Sequence, residues 1–398
     1  MATHNATLIP NAPNGLRSKT LVFVIGAILL LVLPIFAQQF GNAWVRIIDI
    51  ALLYVLLALG LNIVVGYAGL LDLGYVAFYA VGAYLFGLFA GPHLPDTFEW
   101  IQKALPNGLH LPWWIALPLG ALVAGMAGVL LGAPTLKLRG DYLAIVTLGF
   151  GEIIRVFLNN LDAPVNVTNG PKGLAQIDAF NLFGYDLGKT HSLFGIDFPP
   201  VTNHYYLFVA MVIFSVLLCY RLERSRIGRA WMAIREDEIA AKAMGINTRN
   251  MKLLAFGMGA TFGGMSGVLF STFQQFISPE SFSLQESIMI VAMVVLGGIG
   301  HLPGVIVGAL LLSALPEVLR YVGGQLQQWS GGRLDASILR QLLIALAMIG
   351  IMLARPRGLW PSPEHGRASV VADEMPHQHL KPVEQIPPTV TSIAPTTE

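Results

Sequence analysis

Residues Arg235 to Ile246 read REDEIAAKAMGI, five charged side chains in twelve positions of a chain that is otherwise largely apolar. The 398 residues are 55% hydrophobic and only 12% charged, with a mean hydropathy of +0.64. That balance is too apolar for a soluble domain of this size and points to an all-α polytopic integral membrane protein. A net charge of +1 argues against a nucleic-acid partner, which calls for a basic face that membrane topology does not account for. The single cysteine, Cys219, has no internal disulfide partner and lies in the apolar run VIFSVLLCY, where packing is its expected role.

A helix needs about 20 mostly apolar residues to cross ~30 Å of hydrocarbon. Ten segments approach that requirement: residues 21–37, 45–65, 72–90, 112–132, 141–160, 204–221, 252–273, 286–300, 304–322 and 337–354. The first, LVFVIGAILLLVLPIFA, exceeds a signal peptide's apolar core of roughly 7–15 residues and lacks a small-x-small cleavage pattern, so it is read as a retained span. Residues 1–20 and 359–398 are too polar and proline-rich to build a core, and are expected to be disordered tails flanking a permease domain at 21–358.

Orientation follows from the basic residues, which concentrate in short cytoplasmic loops. With both termini inside, sixteen of the 24 Lys and Arg fall on the cytoplasmic side and seven outside, with Arg155 inside a span. This arrangement puts residues 222–251, which contain REDEIAAKAMGI, in the cytoplasm, and the long segment 161–203 in the periplasm.

Two glycine-rich stretches separate neighbouring spans: GYAGLLDLG, Gly66 to Gly74, and LGGIGHLPG, Leu296 to Gly304. Broken helix backbone at membrane depth requires protein or a wet cavity around it, which makes Gly66, Gly69, Gly74, Gly297, Gly298 and Gly300 candidates for a translocation pathway. Tight cytoplasmic turns between ordinary hairpins are the other reading. Asp72 favours a pathway, because a carboxylate at the bilayer centre costs ~2.5–3.5 kcal/mol and turns to the bundle interior. Glu152 and Arg155, three residues apart in GFGEIIRVFL, share a helix face, either as a structural ion pair or as groups on the substrate path.

Motifs for catalysis are absent. FGYDLGKT, Phe183 to Thr190, has three residues between its glycines where a phosphate loop needs four. His377 and His379 lack a third metal ligand at useful spacing, His301 sits in the second glycine stretch as a loop partner, and no serine, cysteine or histidine has a nucleophile context. The chain is therefore not expected to be an enzyme, nor to bind a cofactor or metal.

The charged stretch is built to be a short helix. Glu236 and Asp237 suit the positive end of the helix dipole, Glu238 and Lys242 stand in the favourable i,i+4 order, and Gly245 supplies a left-handed stop. Ile239, Ala240, Ala243 and Met244 fall on one apolar stripe. About two turns of helix are unstable alone in water, so the segment has to dock, on its own membrane domain or in a partner's groove.

The run GRAWMAIREDEIAAKAMGINTRNMKLLAF, Gly228 to Phe256, closely resembles the cytoplasmic coupling loop of ATP-binding-cassette importer permeases. LGYVAFYAVGAYLF (Leu73 to Phe86), LRGDYLAIVTLGFGEIIRVFLNN (Leu138 to Asn160), SPESFSLQESIMIVAMVVLGGIG (Ser278 to Gly300), NGPKGL (Asn169 to Leu174) and RPRGL (Arg355 to Leu359) resemble branched-chain amino acid permeases of the LivM type. The resemblance implies a multi-pass inner-membrane subunit that pairs with a second homologous permease subunit, two cytoplasmic ATPase subunits that use ATP and Mg, and a periplasmic amino acid binding protein. It assigns the coupling role to Glu238, Ala240, Ala241 and Gly245, with Arg235 and Asp237 beside them. A urea or short-amide permease shares the loop and the breaks. An ion-gradient transporter using Asp72 and the Glu152/Arg155 pair is the reading from a different class, and it leaves the charged helix unexplained.

Overall fold

A computed structural model describes residues 29–104, 109–136, 138, 140–182, 184–193 and 196–329, with scattered positions between 342 and 360. Both polar tails apart from Leu359 and Trp360, the start of the first span, and most of the segment expected at 337–354 lie outside the described residues.

The helices follow the hydropathy pattern. They are α1 (Leu29–Gln39), α2 (Asn42–Asn62), α3 (Val76–Ala90), α4 (His93–Thr97), α5 (Glu99–Ala104), α6 (Trp113–Thr135), α7 (Asp141–Asn160), α8 (Pro200–Glu223), α9 (Arg226–Glu236), α10 (Glu238–Ala243), α11 (Thr248–Gln274), α12 (Leu284–Gly297) and α13 (Leu302–Trp329). Five helical stretches among the described residues are long and apolar enough to cross a membrane: Asn42–Tyr67, Trp113–Thr135, Pro200–Glu223, Thr248–Gln274 and Pro279–Gly297. α1, α3 and the first half of α13 are apolar but shorter. Two expected boundaries move. The span expected at 72–90 becomes helical only at Val76, because Asp72 to Tyr75 form a turn, and the one expected at 286–300 starts earlier, after a 3₁₀ turn at Pro279–Phe282.

α11 is the hub of the bundle and packs on α6, α3 and α2. Its sequence makes this possible: FGMGATFGGMSG, Phe256 to Gly267, removes side chains where neighbouring backbones pass. A Cβ on Gly82 of α3 would stand 2.0 Å from the carbonyl oxygen of Gly264, and one on Gly267 would stand 2.1 Å from that of Tyr79. On the α6 side, Gly120, Ala124 and Gly128 recur every fourth residue and meet Val268, Gly264 and Ala260. Lipid tails are as apolar as leucine, so contacts of this closeness, rather than a hydrophobic drive, bind such helices together.

The connections gather at two ends. At one end, the α4–α5 region and the segment after α7 meet the start of α8 and the end of α11. Strand β1 (Leu174–Ala175) pairs antiparallel with the short strand Phe276–Ile277 after α11. The Asp178 N–H donates to Ala90 O at 3.2 Å, and the Gln38 amide donates to Asp197 O at 3.1 Å. At the other end lie the glycine stretch after α2, the α9–α10 segment and the α12–α13 turn.

Placing one methyl group at a helix crossing tests the packing. Gly82→Ala should lower the temperature at which the detergent-solubilised protein loses its monodisperse elution peak, through an overpacking cost of about 1–3 kcal/mol. Gly149→Ala, whose Cβ meets nothing within 4 Å, should leave that temperature unchanged.

A capped helix joined to two helix breaks

The charged stretch folds as a helix fixed by its own ends. Upstream, α9 begins at Ser225, whose Oγ accepts the Gly228 N–H at 3.1 Å, and is anchored by the fully buried Trp231, whose indole N–H donates to Met251 O at 2.7 Å. The chain then extends at Asp237 (φ −152°), whose Oδ1 accepts the N–H groups of Ile239 and Ala240 at 2.8 and 3.1 Å. α10 closes with the Ile246 N–H on Ala241 O and the Gly245 N–H on Lys242 O, both at 3.1 Å. Gly245 adopts φ +85°, completing the glycine stop that satisfies the last carbonyls of a helix. Asn247 then caps α11 by accepting the Asn250 N–H at 3.1 Å.

Two expectations for α10 change. Glu238 reaches Lys252 of α11 at 2.7 Å, so its ion pair ties α10 to the membrane domain, where helical spacing alone pointed to Lys242. The apolar stripe is also turned outward: Ile239 is 72% and Met244 84% exposed, and Ala240 and Ala243 are exposed as well. Ala241, only 4% exposed, is the side chain that α10 turns inward.

Arg235, at the end of α9, points into the bundle. Its guanidinium donates to the carbonyl of Gly66, in the π-helical turn Ile63–Tyr67 where α2 breaks. Its stem lies against Gly69, where a Cβ would come within 2.8 Å of Arg235 Cγ. The second glycine stretch closes on the same point, with the Gly300 N–H donating to Asn62 Oδ1 at 2.9 Å. The structure therefore brings Gly66, Gly69, Gly300 and Arg235 together. Gly297 and Gly298 line the neighbouring turn, packed against the backbones of Gly304 and Gly358, and the Leu359 N–H donates to Leu296 O at 2.8 Å.

Asp72 and Gly74 take a different place. Asp72 is 1% exposed, and its Oδ1 accepts the Gly74 N–H at 2.9 Å at the head of α3. Thr147 of α7 accepts the Leu73 N–H at 3.0 Å, Ser287 of α12 donates to Leu73 O, and Gly74 packs against the α7 backbone at Thr147 and Gly151. Glu152 and Arg155 form their i,i+3 pair at 3.0 Å, and Arg155 also reaches Glu280 at 3.4 Å. The Arg155–Glu280 contact joins α7 to the 3₁₀ turn that precedes α12. FGYDLGKT contributes to the hairpin Asn181–Leu182/Tyr185–Asp186, and its lysine, Lys189, pairs with Asp186 at 3.0 Å.

Sequence reasoning passed over Asn62. Hydropathy absorbed it into the span at 45–65, although a buried amide so deep in an apolar helix is a signal in itself. Asp49 in the same helix, and Tyr54, which donates to Glu286 at 2.7 Å, were hidden in the same way. Among the described residues no group of three His, Cys, Asp or Glu could hold a metal ion.

A family model for the permease component of branched-chain amino acid transport systems matches residues 43–352, which include both breaks and the capped helix. The chain belongs to this permease family. The permease is 39% identical to the high-affinity branched-chain amino acid transport system permease protein LivM of Escherichia coli K12, over 88% of its own length and 77% of the relative's. It is 25% identical to the corresponding LivH protein of Salmonella typhimurium, over 83% of its own length and 96% of the relative's. It is also 26% identical to a probable LivM permease of Methanocaldococcus jannaschii, over 78% and 90%. No solved structure matches the permease.

The caps give a direct test of how α10 is held. Asp237→Ala removes the acceptor of two helix N–H groups and should cost about 1 kcal/mol, seen as faster hydrogen exchange in peptides covering Ile239 and Ala240 with α11 unchanged. Gly245→Asn, which tolerates the left-handed region, should keep that protection, whereas Gly245→Val should lose it at roughly 1–2 kcal/mol.

Proposed function

We propose that the chain is the membrane-spanning subunit of an ATP-driven importer of branched-chain amino acids, forming half of the translocation pathway. The observation that carries this reading is α10. Outside the apolar spans, a helix of six residues, Glu238–Ala243, is fixed at both ends and presents Ile239 and Met244 outward. Exposed apolar side chains on so rigid an element suit the groove of a protein partner. Its direct junction with α9, whose Arg235 meets both helix breaks, suits a partner that drives them.

In this reading α10 is the coupling helix, seated in a cytoplasmic ATP-binding-cassette subunit. A second such subunit serves the homologous permease that completes the pathway, and a periplasmic binding protein delivers the amino acid. ATP and Mg belong to the cassette subunits. Similarity to both LivM and LivH proteins supports pairing of two related permeases. The protein sits in the inner membrane with about ten spans and both termini cytoplasmic, an orientation supported by the excess of Lys and Arg at the α9–α10 end. Nucleotide binding biases a two-state bundle between outward and inward access.

Substituting Ile239→Asp together with Met244→Asp should reduce uptake of labelled leucine about tenfold or more and abolish copurification of the ATPase, with membrane insertion unchanged. Leucine uptake at the wild-type level would remove α10 from the coupling role. Uptake that ignores vanadate and follows an ion gradient would overturn the ATP-driven reading itself.

A further inference from the structure

Arg235 stands at a junction that neither break explains alone. α2 loses its regular backbone ladder at Ile63–Tyr67: the Leu70 N–H, which an unbroken helix would direct to Gly66, goes to Val64 O at 3.0 Å. The Gly66 carbonyl is thereby released from that bond, and it receives the Arg235 guanidinium. A freed carbonyl in an apolar bundle needs a donor from the protein, and an arginine supplies a charged, planar one that holds direction as well as position.

The same guanidinium abuts the second break. Arg235 Nη1 lies 2.7 Å from where a Cβ on Gly300 would stand, and Gly300 has φ +81°. Gly66 is equally confined: a Cβ there would come 2.0 Å from Asn62 Oδ1 and 2.8 Å from the Gly300 nitrogen. α9, the α2 break and the α12–α13 turn thus meet without space for one added carbon. Asp237, two residues beyond Arg235, is the cap of α10. The exposed helix and the partly buried guanidinium are therefore separated only by Glu236, the last residue of α9, and the extended Asp237.

We infer that Arg235 is a positioning residue that transmits displacement of α10 to both helix breaks at once, with Asn62 holding the second break to the first. The inference rests on the importer reading and adds to it the contact through which movement of the outer helix reaches the pathway backbone. Arg235 is thus a transmission point facing the bundle, rather than part of the surface that meets the ATPase.

The test uses the whole complex, permease pair, cassette subunits and binding protein, reconstituted in proteoliposomes with labelled leucine as the probe. The readout is leucine transported per ATP hydrolysed, because a merely structural defect lowers the number of working complexes and both rates together. Arg235→Ala should lower this ratio about tenfold, the scale of a lost charge-assisted hydrogen bond, and Arg235→Lys should restore part of it. Gly300→Ala should lower the ratio by displacing the guanidinium, and combining it with Arg235→Ala should add nothing further, as for two changes in one contact. A wild-type ratio in Arg235→Ala, or additive losses in the double variant, would overturn the inference. If Arg235→Ala fails to assemble, Arg235→Lys and Asn62→Ala decide on the same ratio, and wild-type values in both overturn it. A wild-type complex that moves leucine independently of ATP sinks the importer reading and the inference with it, whereas a wild-type ratio in the variants of an ATP-driven complex sinks the inference alone.

Discussion

Backbone that leaves a helix inside an apolar bundle has to find its hydrogen-bond partners within the protein, and most of this structure near α9 and α10 answers that requirement. The Gly66 carbonyl takes Arg235, and the Gly300 amide takes Asn62. Around the other side of the first break, the Leu73 amide takes Thr147, its carbonyl takes Ser287, and the Gly74 amide takes Asp72. Four of these five partners come from a different helix, so satisfying one break stitches α2, α3, α7, α9, α12 and the α12–α13 turn together. The two glycine stretches are consequently one structural unit.

The same economy of side chains governs the bundle's centre. α11 approaches α3 and α6 so closely that backbone carbonyls occupy space a methyl group would need. Close packing of this kind resists gradual deformation, since shifting one helix by a fraction of an ångström meets hard contacts. Rearrangement is thereby directed toward the places where the helical ladder is already interrupted, which are the breaks at Gly66 and Gly300.

Much of the architecture was legible in the sequence. Apolar length located most of the long helices among the described residues, and the glycine clusters located the breaks. Local spacing also identified α10, its acidic start and the stop at Gly245. What escaped was tertiary: no periodicity shows that residues 66 and 300 are neighbours, or that Arg235 turns away from the helix beside it. Glu238 illustrates the point, because helical spacing pointed to Lys242 while the fold brings Lys252, fourteen positions away, to 2.7 Å. Asn62 and Asp49 were hidden by averaging, since one polar residue barely alters the hydropathy of a whole span. The stripe of Ile239 and Met244 was visible, but its direction depended on which side of α10 the small Ala241 would let the helix approach.

The caps of α10 have a thermodynamic consequence. A free peptide of six residues would have to be ordered on meeting a partner, losing roughly 1–2 kcal/mol of backbone freedom for each residue fixed. Here Asp237, Gly245 and Asn247 complete that ordering when the permease itself folds. In the coupling role proposed for α10, association would be a rigid-body event with little left to organise, so contact area on Ile239 and Met244 would convert more fully into affinity. A surface of two side chains would then be an adequate handle, because the helix beneath it is already ordered before any partner arrives.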